Sequence, residues 1–263
     1  MIRRPPRSTQ SRSSAASDVY KRQDFYRVYT SDPASDEGRI EAVMEEVSGK
    51  VELVTASRAP VEDIEAVHTP GHIQRVKDMG LHDIASLAAG GAIQAARIGM
   101  EEPSFALIRP PGHHASADSA WGFCFYSNMA VAMDHLKRAG VIERAHILDF
   151  DLHYGDGTVN ILGRKGYATI HNPSSHDRAS YLREVEAELS RVQADVIGIS
   201  AGFDNHEQDW GGLLTTDDYR LMGAMVREAA MRTGAGYFAI LEGGYNHQVL
   251  GHNAWSLMRG MEG

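Results

Sequence analysis

Ala145-His146-Ile147-Leu148-Asp149-Phe150-Asp151-Leu152-His153-Tyr154-Gly155-Asp156-Gly157-Thr158 changes character halfway along. Ala145 to Leu148 reads as a buried strand, and its carboxyl end runs straight into aspartates and a histidine. Such side chains are costly to bury unless they are paired or bound to a metal. Asp151 and His153 lie two residues apart, so on an extended chain they point to the same side. They offer one hard oxygen and one imidazole nitrogen, two of the three protein ligands that a catalytic zinc takes.

Outward from this stretch the chain alternates strand-like and helical segments. Short apolar strands are expected at Val51–Val54, Ser104–Ile108, Ala145–Phe150, Tyr167–Ile170, Val196–Ser200 and Tyr237–Leu241. Helices are expected at Gly38–Val47, Val61–Val67, Gly71–Met79, Asp83–Met100, Ser127–Arg138, Arg178–Val192, Asp217–Arg232 (with Asp217 as N-cap) and Gln248–Met261. The pattern implies an α/β fold: a mainly parallel sheet with helices on both faces. No Pro/Gly-rich linker divides residues 24–263, which read as one domain.

The polar clusters follow the strands. His113-His114 come after Ser104–Ile108, Asp151 and His153 after Ala145–Phe150, Asp204 after Val196–Ser200, and Glu242-Gly243-Gly244-Tyr245 after Tyr237–Leu241. Open parallel sheets bind ligands outside the carboxyl ends of their strands. Four clusters at four such ends can therefore converge on one site.

Composition narrows the function classes. The net charge of −9 argues against nucleic acid as a direct partner. No apolar run approaches the ~18 residues that span a membrane. The single cysteine, Cys124, excludes an internal disulfide framework and suits a cytoplasmic location. Residues 1–23 stand apart, with six basic residues against one acidic; removing their net +5 from −9 leaves −14 for residues 24–263. This leader has the Arg- and Ser-rich, acid-poor composition of a transit peptide, but we read it as extraneous, adapter-like sequence outside the fold.

Asp151, His153 and Asp204 make a candidate metal site with two carboxylates and one imidazole, leaving a fourth position open for water. On spacing alone, a capping Asp151 and a loop His153 account for the pair equally well. His113 and His114 sit in the rigid Arg109-Pro110-Pro111-Gly112 loop and suit acid–base work. Asp149 and Asp156 are spare carboxylates able to hold their second nitrogens. Tyr245, after two glycines, can donate to an oxygen that gains charge in a transition state. Trp121 to Phe125 walls a pocket or belongs to the core. Cys124 has no evident activating base. His171, Asn172 and His176 are given no role.

Taken together, Arg109–Ala115, Gly122–Asn128, Ile147–Thr158, Ser200–Asp204 and Glu242–Asn246 resemble the zinc-dependent histone deacetylase family, which also includes acetylpolyamine amidohydrolases and acetoin-utilisation proteins. Among its members the chain looks like a small class II-like prokaryotic type. The resemblance covers about Gly38 to Gly263 and implies a three-layer arginase/deacetylase-like fold. It implies hydrolysis of acetyl-lysine or a similar N-acetyl amine to amine and acetate by a zinc-bound water. By motif, Asp151, His153 and Asp204 match the zinc ligands, a set that Fe²⁺ also suits. His114 matches the general base and acid and His113 its electrostatic partner. Asp149 and Asp156 match the carboxylates behind His113 and His114, and Tyr245 the carbonyl-polarising tyrosine. Gly122 and Phe123 match the acyl-lysine tunnel. The surroundings of Asp149 match a structural potassium site.

The chain also departs from the pattern. The segment after His171 and the loop between Met79 and Asp83 are short, which predicts an open, shallow mouth. Trp210 stands where many relatives have leucine and a polyamine-selective relative has glutamate. Two alternatives accompany the deacetylase reading: an acetylpolyamine or other small-amide amidohydrolase, and a catalytically compromised acetyl-amine binding module. A ureohydrolase lacks support, because no carboxylate set for a second metal is evident.

Overall fold

The computed structural model describes residues 24–263, so the leader expected over residues 1–23 lies outside the described residues. Five strands form one sheet in the order β1-β5-β4-β2-β3: β1 (Ser104–Ala106), β2 (Ala145–Asp149), β3 (Ala168–His171), β4 (Val196–Ala201) and β5 (Gly236–Leu241). All neighbours pair in parallel, with Ile147 beside Gly198 and Gly198 beside Phe238. The strands are short, and the central β2, β4 and β5 are almost wholly buried, which is why they read as apolar runs.

Alternate strand residues face opposite layers. Ile147, Val196, Phe238 and Ile240 pack with α3 (Pro70–Asp78), α4 (His82–Ile98) and α5 (Asn128–Arg138). Leu148, Ile197, Ile199, Ala239 and Leu241 pack with α1 (Arg39–Val47), α7 (Arg178–Leu189), α8 (Thr216–Thr233) and α9 (His247–Glu262). The two short helices α2 (Val61–Glu65) and α6 (Asp156–Leu162) complete the set. The result is the expected three-layer α/β architecture.

Chain direction along the sheet reverses between β2 and β4. From β2 the chain moves outward to β3, then returns to β4 and on to β5. A crevice at the carboxyl ends of the strands is expected where the order reverses. The loops after β2 and β4 border it.

Two local expectations are corrected, and one helix is added. Val51–Val54 forms no strand; it is exposed and finds no strand partner. The segment that follows is pinned by side chains instead, with Gln94 accepting from Ser57 N–H at 2.7 Å and donating to the Thr55 carbonyl at 3.1 Å. The N-cap of α8 is Thr215, in a capping box with Asp218, rather than Asp217. The stretch after Asp156 is a helix, which its polar start conceals.

Gly90, inside α4, shows why a helix carries a glycine there. A Cβ at this position would lie 1.8 Å from the Ser57 carbonyl oxygen and 2.5 Å from Ala59 N. Helix propensity alone would make Gly90→Ala stabilising by about 1 kcal/mol. Because the obstacle is backbone, the substitution is expected to destabilise instead, by about 1–3 kcal/mol in urea unfolding. An unchanged or raised midpoint would contradict the packing described.

Candidate active site

The loops after β2, β4 and β5 lie side by side, and the loop after β1 meets them. Asp151, His153 and Asp204 come together: one ligand atom from each lies within 4.8 Å of the others. Asp151 is fixed by backbone donors, with Oδ1 accepting from His153 N–H at 2.9 Å and Oδ2 from Gly243 N–H at 2.8 Å. Asp204 Oδ1 accepts from Leu152 N–H at 3.0 Å. Its Oδ2 is buried without a hydrogen bond, 3.1 Å from His153 Nδ1. A buried carboxylate oxygen without a hydrogen bond is costly, and a cation bound there would relieve that cost.

Electrostatics point the same way. The contact with Asp151, and then the Asp204 carboxylate beside it, hold the His153 imidazole up at about 10. Burial, and then the Asp151 charge, push the Asp204 carboxyl up. The cluster attracts positive charge. The backbone leaves room for it: a Cβ on Gly243 would lie 2.5 Å from Asp151 Oδ2 and 2.8 Å from Asp204 Oδ2. Two carboxylate oxygens and an imidazole nitrogen fit Zn²⁺ or Fe²⁺.

The paired histidines sit beside this cluster in different surroundings. His113 Nδ1 lies 3.2 Å from Asp149 Oδ2, with both side chains buried. Burial pulls His113 down, but Asp151 and Asp149 outweigh it and hold it well above its ordinary value. Asp149 Oδ1 also accepts from Asp151 N–H at 3.3 Å, tying this pair to a ligand. His114 Nδ1 lies 2.7 Å from Asp156 Oδ1, and this carboxylate is 42% exposed. An ionised carboxylate only accepts, so the proton sits on Nδ1 and a neutral His114 keeps its lone pair at Nε2. Burial, and then the charge of His113, pull His114 down to about 4. The His114 and His153 rings meet edge to face at 5.9 Å.

Tyr245 stacks on Trp210 at 4.1 Å and meets Phe123 edge-on at 5.9 Å. Trp210 also meets His153 edge-on at 6.1 Å. Burial, and then Asp151, push the Tyr245 phenol up, so it stays protonated and able to donate. Gly122 lies against the His114 ring, where a Cβ would come within 2.3 Å of Cδ2. Every residue expected at the site is thus gathered around Asp151, His153 and Asp204. Cys124 is buried, and burial pushes its thiol well up, in keeping with no nucleophilic role.

Several supports lie outside the residues given a role above. Arg39, fully buried on α1, donates to the carbonyls of Glu242 and Gly244 and so sets the loop that carries Tyr245. Glu242 accepts from Gly112 N–H at 2.7 Å and His113 N–H at 3.2 Å, and burial pushes it up to about 7. Asp209 Oδ2 accepts from the Tyr245 and Asn246 N–H groups, each at 2.8 Å. Asn172, given no role above, accepts from Gly155 N–H at 2.8 Å, next to Asp156.

His68 fastens both ends of the loop that carries Gly122 and Phe123. Its Nδ1–H donates to the Ser116 carbonyl at 3.0 Å, and its Nε2 accepts from Ser127 N–H at 2.9 Å. Only a neutral ring makes both bonds. Burial, and then His72, lower its pKa from 6.5 to about 3. The folded state therefore binds fewer protons between those values. Stability from His68 is present above about 6.5 and lost as pH falls toward 3. The stability difference between wild type and His68→Ala should narrow on acidification, by on the order of 1 kcal/mol per pH unit in that window. A difference in urea unfolding that does not vary with pH would contradict this.

The whole arrangement can be set beside known proteins. The pattern of the histone deacetylase domain matches residues 34–182 and 166–261. A probable deacetylase of Methanothermobacter thermautotrophicus is 29% identical over 284 residues, spanning 86% of this chain and 85% of the relative. The histone deacetylase-like amidohydrolase of Pseudomonas aeruginosa is 30% identical over 257 residues, spanning 76% and 68%. The crystal structure of the HDA15 HD domain shares the fold, with a TM-score of 0.72 at 24% identity over 84% of this chain and 80% of that one. The domain match takes in the loops after all five strands, and the chain belongs to the histone deacetylase family.

Proposed function

We propose that residues 24–263 form one catalytic domain, a metal-dependent deacetylase that hydrolyses the acetyl amide of acetyl-lysine or a similar N-acetyl amine to amine and acetate. The observation that carries this reading is the His114–Asp156 pair set beside the converging Asp151, His153 and Asp204. These three residues would hold Zn²⁺ or Fe²⁺. When bound, such a cation polarises a carbonyl and lowers the pKa of water to ~7.

The side chains then divide the work. Asp156 keeps the His114 proton on Nδ1, so Nε2 is free to take a proton from the attacking water. His114 afterwards returns that proton to the leaving amine. His113, fixed by Asp149, steadies the charge that builds beside it. The Tyr245 phenol donates to the carbonyl oxygen as it gains negative charge. Gly122 leaves the His114 ring uncovered on one edge, and Phe123 and Trp210 flank Tyr245 where the acyl chain would enter. Asp149 is assigned the structural potassium ion that the resemblance implies. Among the described residues no helix is long and apolar enough to cross a membrane. The single cysteine is free and buried, as suits a reducing cytoplasm, which is the location we assign.

The test is turnover of an acetyl-lysine peptide and of N-acetylputrescine by the zinc-loaded chain. Acetate release should stop with chelator and return with zinc. His114→Ala should lower kcat by about 10²–10⁴-fold and Tyr245→Phe by about 10²–10³-fold. A higher kcat/KM for the peptide supports the acetyl-lysine reading, and a higher value for N-acetylputrescine moves the substrate to small acetylated amines. Ligand binding without acetate release would establish the binding-module alternative.

A further inference from the structure

Trp121 lies in the loop between His114 and Phe123. Its side chain is 55% exposed, which by itself suggests an unimportant surface residue. Yet it is held at two points. Its indole stacks on the His114 imidazole, with centroids 3.7 Å apart and planes 28° from parallel. Its Nε1–H donates to Asp156 Oδ2 at 2.9 Å. The other oxygen of that carboxylate accepts from His114 Nδ1 at 2.7 Å. The three side chains close a triangle: two stacked rings joined at their edges by one carboxylate.

The two histidine–carboxylate pairs show what this triangle accomplishes. The His113–Asp149 pair is dry, with side chains 4% and 0% exposed, so its geometry is fixed by burial. Asp156 is 42% exposed, and an exposed carboxylate free to turn and to bond water holds a partner only loosely. Trp121 takes up the second oxygen and so removes that freedom. His114 is bounded by a second ring as well, that of His113, 4.0 Å away and tilted 38°. Gly122, at φ +57, lets the chain turn directly after Trp121 and pass the edge of the His114 ring. Trp121 is itself anchored, since its carbonyl accepts from Cys124 N–H at 3.0 Å.

We propose that Trp121 is a positioning residue: it clamps the exposed His114–Asp156 pair and holds His114 Nε2 in the orientation that proton transfer requires. The inference rests on the deacetylase reading above. It separates Trp121 from a wall that merely contacts the acyl chain, because a wall would affect substrate affinity rather than the proton-transfer step.

The test compares Trp121→Phe, which keeps a stacking ring and loses the N–H, with Trp121→Ala, which loses both, in the full zinc-loaded chain acting on a short acetyl-lysine amide. Trp121→Ala should lower kcat by about 10- to 100-fold with KM within about twofold, and Trp121→Phe should fall between it and wild type. In an Asp156→Asn background, Trp121→Phe should cost little more, because the carboxylate it steadies is gone. A raised KM at unchanged kcat, or kcat losses that multiply in the double variant, would overturn the proposal. A second readout does not depend on turnover. The chain has three tryptophans, so the indole N–H signal lost in Trp121→Phe identifies Trp121 in a nitrogen-15 spectrum. That signal should shift in Asp156→Asn; an unmoved signal would overturn the clamp. If the wild type releases no acetate, the functional reading has failed, and the indole signal alone decides whether the clamp exists.

Discussion

Burying Asp151 and Asp204 side by side is the constraint on which the rest of the site depends. Like charges at close range disfavour each other, and burial removes the water that would screen them. Three backbone N–H groups, from Leu152, His153 and Gly243, meet part of that cost. Asp204 Oδ2 is left without a hydrogen bond, and His153 is drawn toward the protonated state. These three side chains could hold one compact cation, and their neighbours leave room for it. Gly243 has no side chain because any Cβ would press on both carboxylates. Asp149 holds the Asp151 backbone with one oxygen and His113 with the other.

Around that centre the protein grades the environment of otherwise similar groups. His113 lies deep, between Asp149 and a main-chain contact to Glu242, and stays cationic in character. His114 lies one residue further along, faces an exposed carboxylate and is kept neutral by burial and by His113. Adjacent residues on one rigid loop thus acquire opposite charge preferences. This division is what acid–base chemistry beside a cation requires. Aromatic rings complete the surroundings, with Trp121 on His114 and Trp210 on Tyr245. Both tryptophans remain more than half exposed, in keeping with an open mouth.

Much of this was legible in the sequence for a physical reason. Strands β2, β4 and β5 are buried on both faces, so they read as unbroken apolar runs, and the polar residues that end them stand out. Of the eleven residues singled out for chemistry, seven lie in β2, β4 and β5 or the segments that follow them and four in the loop after β1, and the structure gathers them. What could not be read depends on partners distant along the chain. Nothing in Gly38-Arg39-Ile40 shows that Arg39 will reach the carbonyls of Glu242 and Gly244. The role of Asp209 appears only once the β5 loop folds over it. Val51–Val54 has strand-like residues but pairs with no strand. The N-cap of α8 moved because Thr215 and Asp218 satisfy each other, which Asp217 alone does not achieve.

The central claim is that Asp151, His153 and Asp204 exist to hold one cation. It is tested most directly by measuring the metal content of the chain after chelator treatment and reloading with zinc, beside an Asp204→Ala variant shown to be folded. One zinc per chain in the wild type, lost in the variant, is the result this account predicts. Equal metal content in the two proteins, or none in either, would contradict it.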